Sequence, residues 1–145
     1  MYKNTISEML SDRNVIGTKV YYHDRDEKIN IDTAKKYIAS TQTDIIIVYD
    51  QITGTARKLF NFVNDRNIEL FTYDELNYNI TKHHLVPKHT KLSPEERSSF
   101  VSTYGENIPI IKKTDPISRY WCFKTGDIIK IDRNDGTISY RIVCE

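Results

Sequence analysis

The sequence is poor in cysteine and glycine and contains no long apolar run. Its two cysteines, Cys122 and Cys144, do not form a C-x-x-C pair, so the pattern indicates neither a zinc ribbon nor a disulfide framework. The five glycines are scattered, and none belongs to a phosphate-binding loop. The longest apolar run, Ile45 to Tyr49, has the length of a strand and not of a membrane span. Without a signal peptide or a spanning segment, the protein is expected to be soluble and intracellular.

A strong excess of charge of either sign is also missing. The chain has 21 basic and 20 acidic residues and a net charge of +1, so it is not expected to bind nucleic acid through a strongly basic surface of its own. Ten tyrosines and five phenylalanines, in contrast, supply the large apolar side chains that a packed core requires. At 145 residues the chain fits one ordinary domain or two small ones.

The first half of the chain alternates between helix and strand patterns. Ile45 to Tyr49 is rich in β-branched residues, as expected of a strand that is covered on both faces. Asp32 is a candidate helix cap. The predicted elements are a helix over residues 4–13, a strand over 19–22, a helix over 32–40, a strand over 45–49, a helix over 55–64 and a strand over 68–71. This alternation predicts a small α/β domain.

The second half begins two helices with well-defined caps. Ser93–Glu96 places a serine before a proline and a glutamate three residues later, which predicts a capping box and a helix that ends near Gly105. Asp115–Pro116 repeats the arrangement and predicts a short helix to about residue 123. Arg119 and Tyr120 then lie in the C-terminal half of that helix. These local signals, with the hairpin below, predict a compact α+β module.

A β-hairpin is predicted near the C-terminus. Asn134–Gly136 is a strong turn signal, because glycine accepts the positive φ that a tight turn needs. Strict alternation along the first strand places Ile129 and Ile131 on one face. On the partner strand, three residues are expected to meet the same core: Ile138, Tyr140 and Ile142.

The segment between the two halves is polar and contains three of the four histidines. Leu85–Pro87 is predicted to be an extended exit from a strand, because a residue before proline is disfavoured in helical geometry. His83 and His84 are then expected to point to opposite sides of that strand. Neither they nor His89 has a ligand partner at zinc-site spacing, so surface or interface histidines are favoured over a metal site.

A second hypothesis from the same residues is a metal-dependent nuclease. Asp26–Lys28 is an acid-x-lysine triplet, and Asp44 and Asp50 flank the buried strand. Two carboxylates and a lysine are able to hold Mg²⁺ and a water molecule. The triplet lies in a polar turn and not on a rigid strand, however, and such triplets are common in a chain with 28% charged residues. The nuclease reading is therefore kept as the alternative.

Four segments of the second half, in this order and spacing, carry a resemblance to a known family: Asn79–His89, Asp115–Tyr120, Lys124–Asp127 and Ile138–Val143. Together they resemble the fifth subunit shared by the eukaryotic nuclear RNA polymerases, and the same part of the chain is similar to the corresponding small subunit of archaeal RNA polymerase. Two departures are minor. Ser118 stands where the family usually has alanine, and a Trp-Cys pair follows Tyr120 in place of a smaller one.

The first half matches this family more loosely. Asp44 to Phe62 looks like the family's hydrophobic strand, loop and second helix. The family's loop Thr-Pro-Ser-Ala reads here as Thr53-Gly54-Thr55-Ala56, and glycine removes the rigidity that proline gives. Family members with a full jaw domain have a longer N-terminal region, so this jaw is expected to be shortened.

The resemblance implies an α+β protein with two domains. Residues 1–74 would form a small α/β jaw domain, similar to restriction endonucleases but without their active site. Residues 75–145 would form an assembly domain, similar to the archaeal polymerase subunit, that ends in the β-hairpin. The implied function is that of a non-catalytic structural subunit of a multisubunit DNA-directed RNA polymerase. It would dock on the largest subunit and neighbouring small subunits and help form the downstream-DNA jaw, with no cofactor, metal, small-molecule substrate or membrane partner.

Two sets of residues are expected to make these contacts. Backbone N–H groups at a helix N-terminus often face a phosphate, and nearby cations strengthen the contact. The DNA-proximal set is Thr53, Gly54, Thr55, Ala56, Arg57 and Lys58. Interfaces favour arginine and tyrosine, although Arg119 and Tyr120 would alternatively form an internal cap and core pair. The subunit-interface set is Leu85, Val86, Pro87, His89, Asp115, Pro116, Arg119 and Tyr120.

The host is indicated only by composition. The bias toward isoleucine, asparagine, lysine and tyrosine indicates an AT-rich genome, such as that of a large DNA virus with its own polymerase. A cellular protein is expected in the nucleus. A viral protein is expected in a viral factory in the host cytoplasm or in the virion. Besides the nuclease-like DNA-binding protein, a free adaptor that binds transcription factors is a further alternative.

Overall fold

The computed structural model describes all residues from Met1 to Glu145 and divides into two compact units, residues 1–78 and 79–145. The predicted domains, 1–74 and 75–145, remain a prediction about which segments fold independently. No helix is long and apolar enough to span a membrane. The units together give the mixed α+β class that was expected.

The first unit alternates helices and strands as predicted. Its elements are α1 (Tyr2–Arg13), β1 (Lys19–Tyr22), β2 (Lys28–Ile29), α2 (Ile31–Ser40), β3 (Ile45–Tyr49), β4 (Gln51–Ile52), α3 (Gly54–Phe62), β5 (Ile68–Thr72) and a 3₁₀ helix, Asp74–Leu76. Strands β1, β3 and β5 form a parallel sheet with β3 in the centre. Strands β2 and β4 form a separate parallel pair of two residues each.

The central strand β3 is buried on both faces, as its β-branched composition predicts. On one face, Ile45, Ile47 and Tyr49 pack in a cluster with residues of α2 and α3. On the other face, Ile46 and Val48 are fully buried, and α1 is joined to β5 by the ion pair Arg13–Glu69. Helices on both faces of a parallel sheet satisfy the rule for α/β proteins.

The cap of α2 differs from the prediction. Asn30, and not Asp32, is the N-cap residue, and its side-chain oxygen accepts from the Thr33 N–H at 3.0 Å. Asp32 lies in the first turn of the helix, where its negative charge still faces the positive end of the helix dipole. Asparagine and aspartate cap almost equally well, so the position of the first turn, and not residue type, decided between them.

The second unit contains a 3₁₀ helix (Ile80–Lys82), β6 (Lys88–Lys91), α4 (Pro94–Tyr104), β7 (Ile110–Lys112), α5 (Pro116–Trp121), β8 (Ile128–Asp132) and β9 (Ile138–Cys144). The strands form one mixed sheet in the order β6-β8-β9-β7. Both predicted helix starts are confirmed. Ser93 and Glu96 form a reciprocal capping box, and the Asp115 side chain accepts from the Ile117 N–H at 2.9 Å.

The hairpin β8–β9 is confirmed, but the predicted facing of its second strand is wrong. Ile129 and Ile131 lie opposite Arg141 and Ser139, so Ile138, Tyr140 and Ile142 are on the other face of the sheet. The core cluster below Ile129 and Ile131 contains Val143 instead. A loop that is longer or shorter by one residue reverses every side chain of the following strand, and sequence alternation alone does not fix that length.

Candidate nucleic-acid and subunit interfaces

The predicted DNA-proximal set forms the start of α3. Thr53 is the N-cap, and its hydroxyl accepts from the Ala56 N–H at 3.1 Å. The Arg57 N–H donates to the Thr53 carbonyl at 3.1 Å. Gly54 and Thr55 occupy the first two helical positions, where no preceding helical carbonyl is available to their N–H groups, and both residues are exposed.

Ala56 does not fit the predicted contact. Its side chain is fully buried in the core cluster of the first unit, and its N–H group is occupied by the Thr53 cap. A phosphate near this helix start would therefore meet the backbone of Gly54 and Thr55, not Ala56. The other two members of the set, Arg57 and Lys58, have exposed side chains.

Arg57 is held by a residue that no sequence motif indicated. Its Nη2 donates to the Tyr49 hydroxyl at 2.8 Å. Tyr49 ends β3 and is only 5% exposed, so its hydroxyl is a rigid acceptor. Tyr49 and Arg57 line a shallow depression of about 360 Å³ at the carboxyl ends of β3 and β5, together with Lys28, Asp50, Gln51, Ile52 and Thr72. Ligands commonly bind near the carboxyl ends of parallel strands, which was an available signal.

Two carboxylates of the nuclease hypothesis, those of Asp44 and Asp50, have structural partners. Asp50 accepts from Arg25 Nε at 2.8 Å. Asp44 accepts from the Asn67 N–H at 2.9 Å and thereby links the starts of β3 and β5. Asp26 lies in a turn, where its N–H donates to Asp24. No group of three or more His, Cys, Asp or Glu side chains is arranged to hold a metal ion.

The predicted strand exit at Leu85–Pro87 is wrong. Residues 83–86 form a turn in which the Val86 N–H donates to the His83 carbonyl at 3.0 Å. The Leu85 N–H donates to His83 Nδ1 at 3.1 Å, so a side chain of the turn also bonds to its backbone. The segment therefore enters strand β6 after Pro87 and does not leave a strand. The restriction imposed by a proline acts on the single residue before it, so it does not prevent a turn one residue earlier.

The same turn corrects the predicted orientation of two histidines. The rings of His83 and His84 are stacked, with centroids 4.7 Å apart and planes inclined by 18°. They do not lie on opposite sides of a strand. Leu85 is 73% exposed at the tip of the turn, whereas Val86 packs against the core cluster of the second unit. His89 lies in β6 opposite Ile131, and its Nδ1 is 2.8 Å from the Pro87 carbonyl oxygen.

Tyr120 and Arg119 are neighbours in helix α5 but lie in different surroundings. Tyr120 is only 4% exposed within the chain, and its hydroxyl accepts from Asn79 Nδ2 at 3.2 Å. Tyr120 therefore packs inside the second unit, as its core alternative expects, and its role as a partner contact stays a prediction. Arg119 is half-buried and lies one position earlier on a different face of the helix. Asp115 and Pro116 serve as the cap and first residue of the helix.

Comparison with known proteins identifies the second unit. Residues 78–143 match the family model described as RNA polymerase Rpb5, C-terminal domain. The chain is 35% identical over 123 residues to a protein of Invertebrate iridescent virus 6 that is provisionally named DNA-directed RNA polymerase subunit 454R, an alignment that covers 77% of this chain and 64% of the viral one. It is 33% identical over 130 residues to DNA-directed RNA polymerase subunit 5-like protein 1 of Arabidopsis thaliana, with coverages of 82% and 62%.

A third relative is the Dictyostelium discoideum subunit rpabc1 of DNA-directed RNA polymerases I, II and III, 34% identical over 130 residues, with coverages of 79% and 66%. The second unit is thus a polymerase-subunit domain. The match lies over residues 78–143, and with the three similar polymerase subunits it confirms the resemblance read from the sequence. The chain spans slightly less than two thirds of the length of these relatives.

Proposed function

We propose that the chain is a non-catalytic structural subunit of a multisubunit DNA-directed RNA polymerase. The family match over residues 78–143 is the observation that carries the proposal. The alignments to the three named polymerase subunits are 123 to 130 residues long, so they extend beyond that domain and well into the first unit. A chain related only through a shared domain would align over the second unit alone.

The proposal assigns a different contact to each unit. The second unit docks on the largest polymerase subunit and neighbouring small subunits, through a surface that includes Leu85, Pro87 and Arg119. Leu85 would supply an apolar contact, since it is 73% exposed at the tip of a hydrogen-bonded turn and a partner would remove its side chain from water. Arg119 adds a group that forms directed hydrogen bonds across interfaces.

The first unit is proposed to act as a jaw beside downstream duplex DNA. The supporting feature is the start of α3, where Gly54, Thr55, Arg57 and Lys58 are exposed. Two of these residues are cations, although the net charge of the whole chain is only +1. Two phosphate contacts are too few to hold DNA alone, so the contact requires the assembled enzyme. The same proposal includes a jaw fold similar to restriction endonucleases without their active site. It also includes a location in the nucleus for a cellular protein, or in a viral factory or the virion for a viral one.

Affinity purification of the tagged chain from its native source, followed by mass spectrometry, tests the assembly. The largest polymerase subunit should be the main co-purifying protein. Arg119→Glu should abolish its recovery, because charge reversal at an interface opposes docking. Arg133→Glu is the matched control, since Arg133 is an exposed arginine in the hairpin loop of the same unit. Normal recovery with Arg119→Glu, or equal loss with both variants, would remove Arg119 from the interface.

The nuclease alternative has a direct test. The purified chain is incubated with duplex DNA and Mg²⁺ or Mn²⁺, and cleavage is followed on a gel. No cleavage is expected, because Asp44 and Asp50 are engaged in structural contacts. Metal-dependent cleavage that is lost in Asp50→Asn would overturn the non-catalytic assignment.

A further inference from the structure

Arg57 differs from the other arginines of the first unit in the partner that it has. The unit contains four arginines, and three of them bond to carboxylates: Arg13 to Glu69 at 2.8 Å, Arg25 to Asp50 at 2.8 Å and Arg66 to Asp65 at 3.2 Å. Arg57 donates instead to the neutral Tyr49 hydroxyl. Its guanidinium is therefore fixed in direction while its charge is not compensated by a carboxylate, which suits it to an anionic ligand.

The surroundings of Arg57 extend this pattern. Lys28 lines the same depression and supplies a second cation on the strand pair β2–β4. The depression is shallow and open, so it admits a group carried on a larger molecule, as a backbone phosphate is. Tyr49 is anchored in the core cluster by its ring, and only its hydroxyl reaches Arg57.

One carboxylate, Asp50, also lines the depression and would repel a phosphate. Arg25 neutralises it, because Arg25 Nε donates to Asp50 Oδ2 at 2.8 Å. The same contact raises the pKa of the Arg25 guanidinium through its hydrogen bond and charge interaction with Asp50. Arg25 is also held over the Tyr73 ring, 4.8 Å from the ring centre. Two separate contacts therefore keep Arg25 beside Asp50.

We propose that this depression is a subsite for one backbone phosphate of duplex DNA. Arg57 and Lys28 contact the phosphate, Tyr49 positions Arg57, and Arg25 compensates the charge of Asp50 without touching DNA. The inference rests on the proposed function, since DNA approaches this unit only in the assembled polymerase. It adds four residues, Lys28, Tyr49, Arg25 and Asp50, that neither the family match nor the helix start identifies.

The test uses elongation complexes formed with the polymerase that contains the chain, and it measures DNA retention against salt concentration. Tyr49→Phe keeps the ring in the core and removes only the hydroxyl. Arg57→Ala should lower retention about two- to fivefold, as expected for one exposed ionic contact, and should reduce the salt slope by about one. Tyr49→Phe should produce part of this loss and no further loss in the Arg57→Ala background, because its effect passes through Arg57.

A second pair of variants gives effects of opposite sign. Arg25→Ala should weaken retention by exposing the charge of Asp50, and adding Asp50→Asn should restore it. Lys36→Ala is the matched control for loss of one exposed cation in the same unit, and it should leave the salt slope unchanged. Thermal melts of the isolated chain check that Tyr49→Phe remains folded; a purely structural role would lower the melting temperature without coupling to Arg57 in DNA retention.

The outcomes separate the two proposals. If Arg57→Ala weakens retention but Tyr49→Phe and Arg25→Ala do not, the phosphate subsite is wrong and the DNA-proximal helix start stands. If Arg57→Ala and Lys28→Ala both behave like Lys36→Ala, the subsite and the DNA contact of the first unit are both wrong. If the tagged chain does not co-purify with a polymerase, the proposed function itself fails.

Discussion

The ion pair Arg13–Glu69 gives the most direct test of how the first unit is held together. Arg13 ends helix α1, and its Nη1 and Nη2 atoms each donate to one Glu69 oxygen at 2.8 Å. The side chains are only 7% and 17% exposed. Glu69 lies in β5 opposite Ile46, so this bidentate contact fixes α1 to the sheet across 56 residues of sequence. The proposed change is Glu69→Gln, which keeps the shape and removes the charge.

The expected cost follows from burial. Breaking a buried ion pair by changing one partner costs about 3–5 kcal/mol, because the remaining charge is left without its counterion. The remaining exposure of Glu69 and the acceptor oxygen that glutamine retains place this case at the lower end, about 3 kcal/mol. Since 1 kcal/mol shifts the melting temperature of a domain of this size by about 4–8 °C, the first unit should melt at least about 12 °C lower.

Urea unfolding of the full chain, followed by tyrosine fluorescence and far-UV circular dichroism, measures the change in the free energy of unfolding. The double variant Arg13→Met with Glu69→Met should be less destabilised than Glu69→Gln, because apolar replacement of both partners leaves no buried charge. Glu106→Gln is the control. It breaks the Arg97–Glu106 pair, whose side chains are 33% and 55% exposed, and should cost less than about 1 kcal/mol.

Two results would refute this reasoning. If Glu69→Gln costs no more than Glu106→Gln, the buried pair does not fix α1, and apolar packing of that helix is sufficient. If the double methionine variant is as unstable as Glu69→Gln, the loss comes from disturbed packing and not from an uncompensated charge. Either result would be visible in the same set of unfolding curves.

Three further predictions concern separate parts of the chain. Gly54→Pro should raise the free energy of unfolding, measured in urea, by about 0.4–1 kcal/mol. Gly54 is the first residue of α3, an added side chain there would meet no neighbouring atom, and the preceding Thr53 already has extended backbone. Destabilisation would show that the Gly54 N–H has a required partner. Burial lowers the pKa of His89 below its usual 6.5, so the stability contributed by neutral His89 is full above pH 6.5 and is lost as pH falls through the folded-state pKa. The melting temperature of His89→Gln should therefore depend less on pH between about 8 and 5 than that of the unchanged chain. The same pH dependence in both proteins would contradict this. Residues 75–145 expressed alone should melt cooperatively, and an exchange-broadened NMR spectrum would count against that domain division.

Local signals in the sequence determined most of the secondary structure. Strand β3 was predicted with its bounds, because a run of β-branched residues has few alternatives to a buried strand. The capping box at Ser93 and the cap at Asp115 were predicted because the donor and acceptor lie within three residues of each other. The family resemblance could likewise be recognised from the sequence, since its motifs are short segments in a fixed order.

Only the tertiary structure decided which residues share a surface. The length of the hairpin loop decides which face of the sheet Tyr140 occupies. The Tyr120 hydroxyl finds its partner in Asn79, 41 residues earlier in the chain, and the Tyr49 hydroxyl sets the direction of Arg57. The pair Arg13–Glu69 joins residues too far apart for any local pattern to connect. The physical reason is the same in each case. Caps and strand runs are fixed by neighbours in the chain, whereas the register of a strand, the burial of a ring and the partner of a charge are fixed by groups that folding alone brings together.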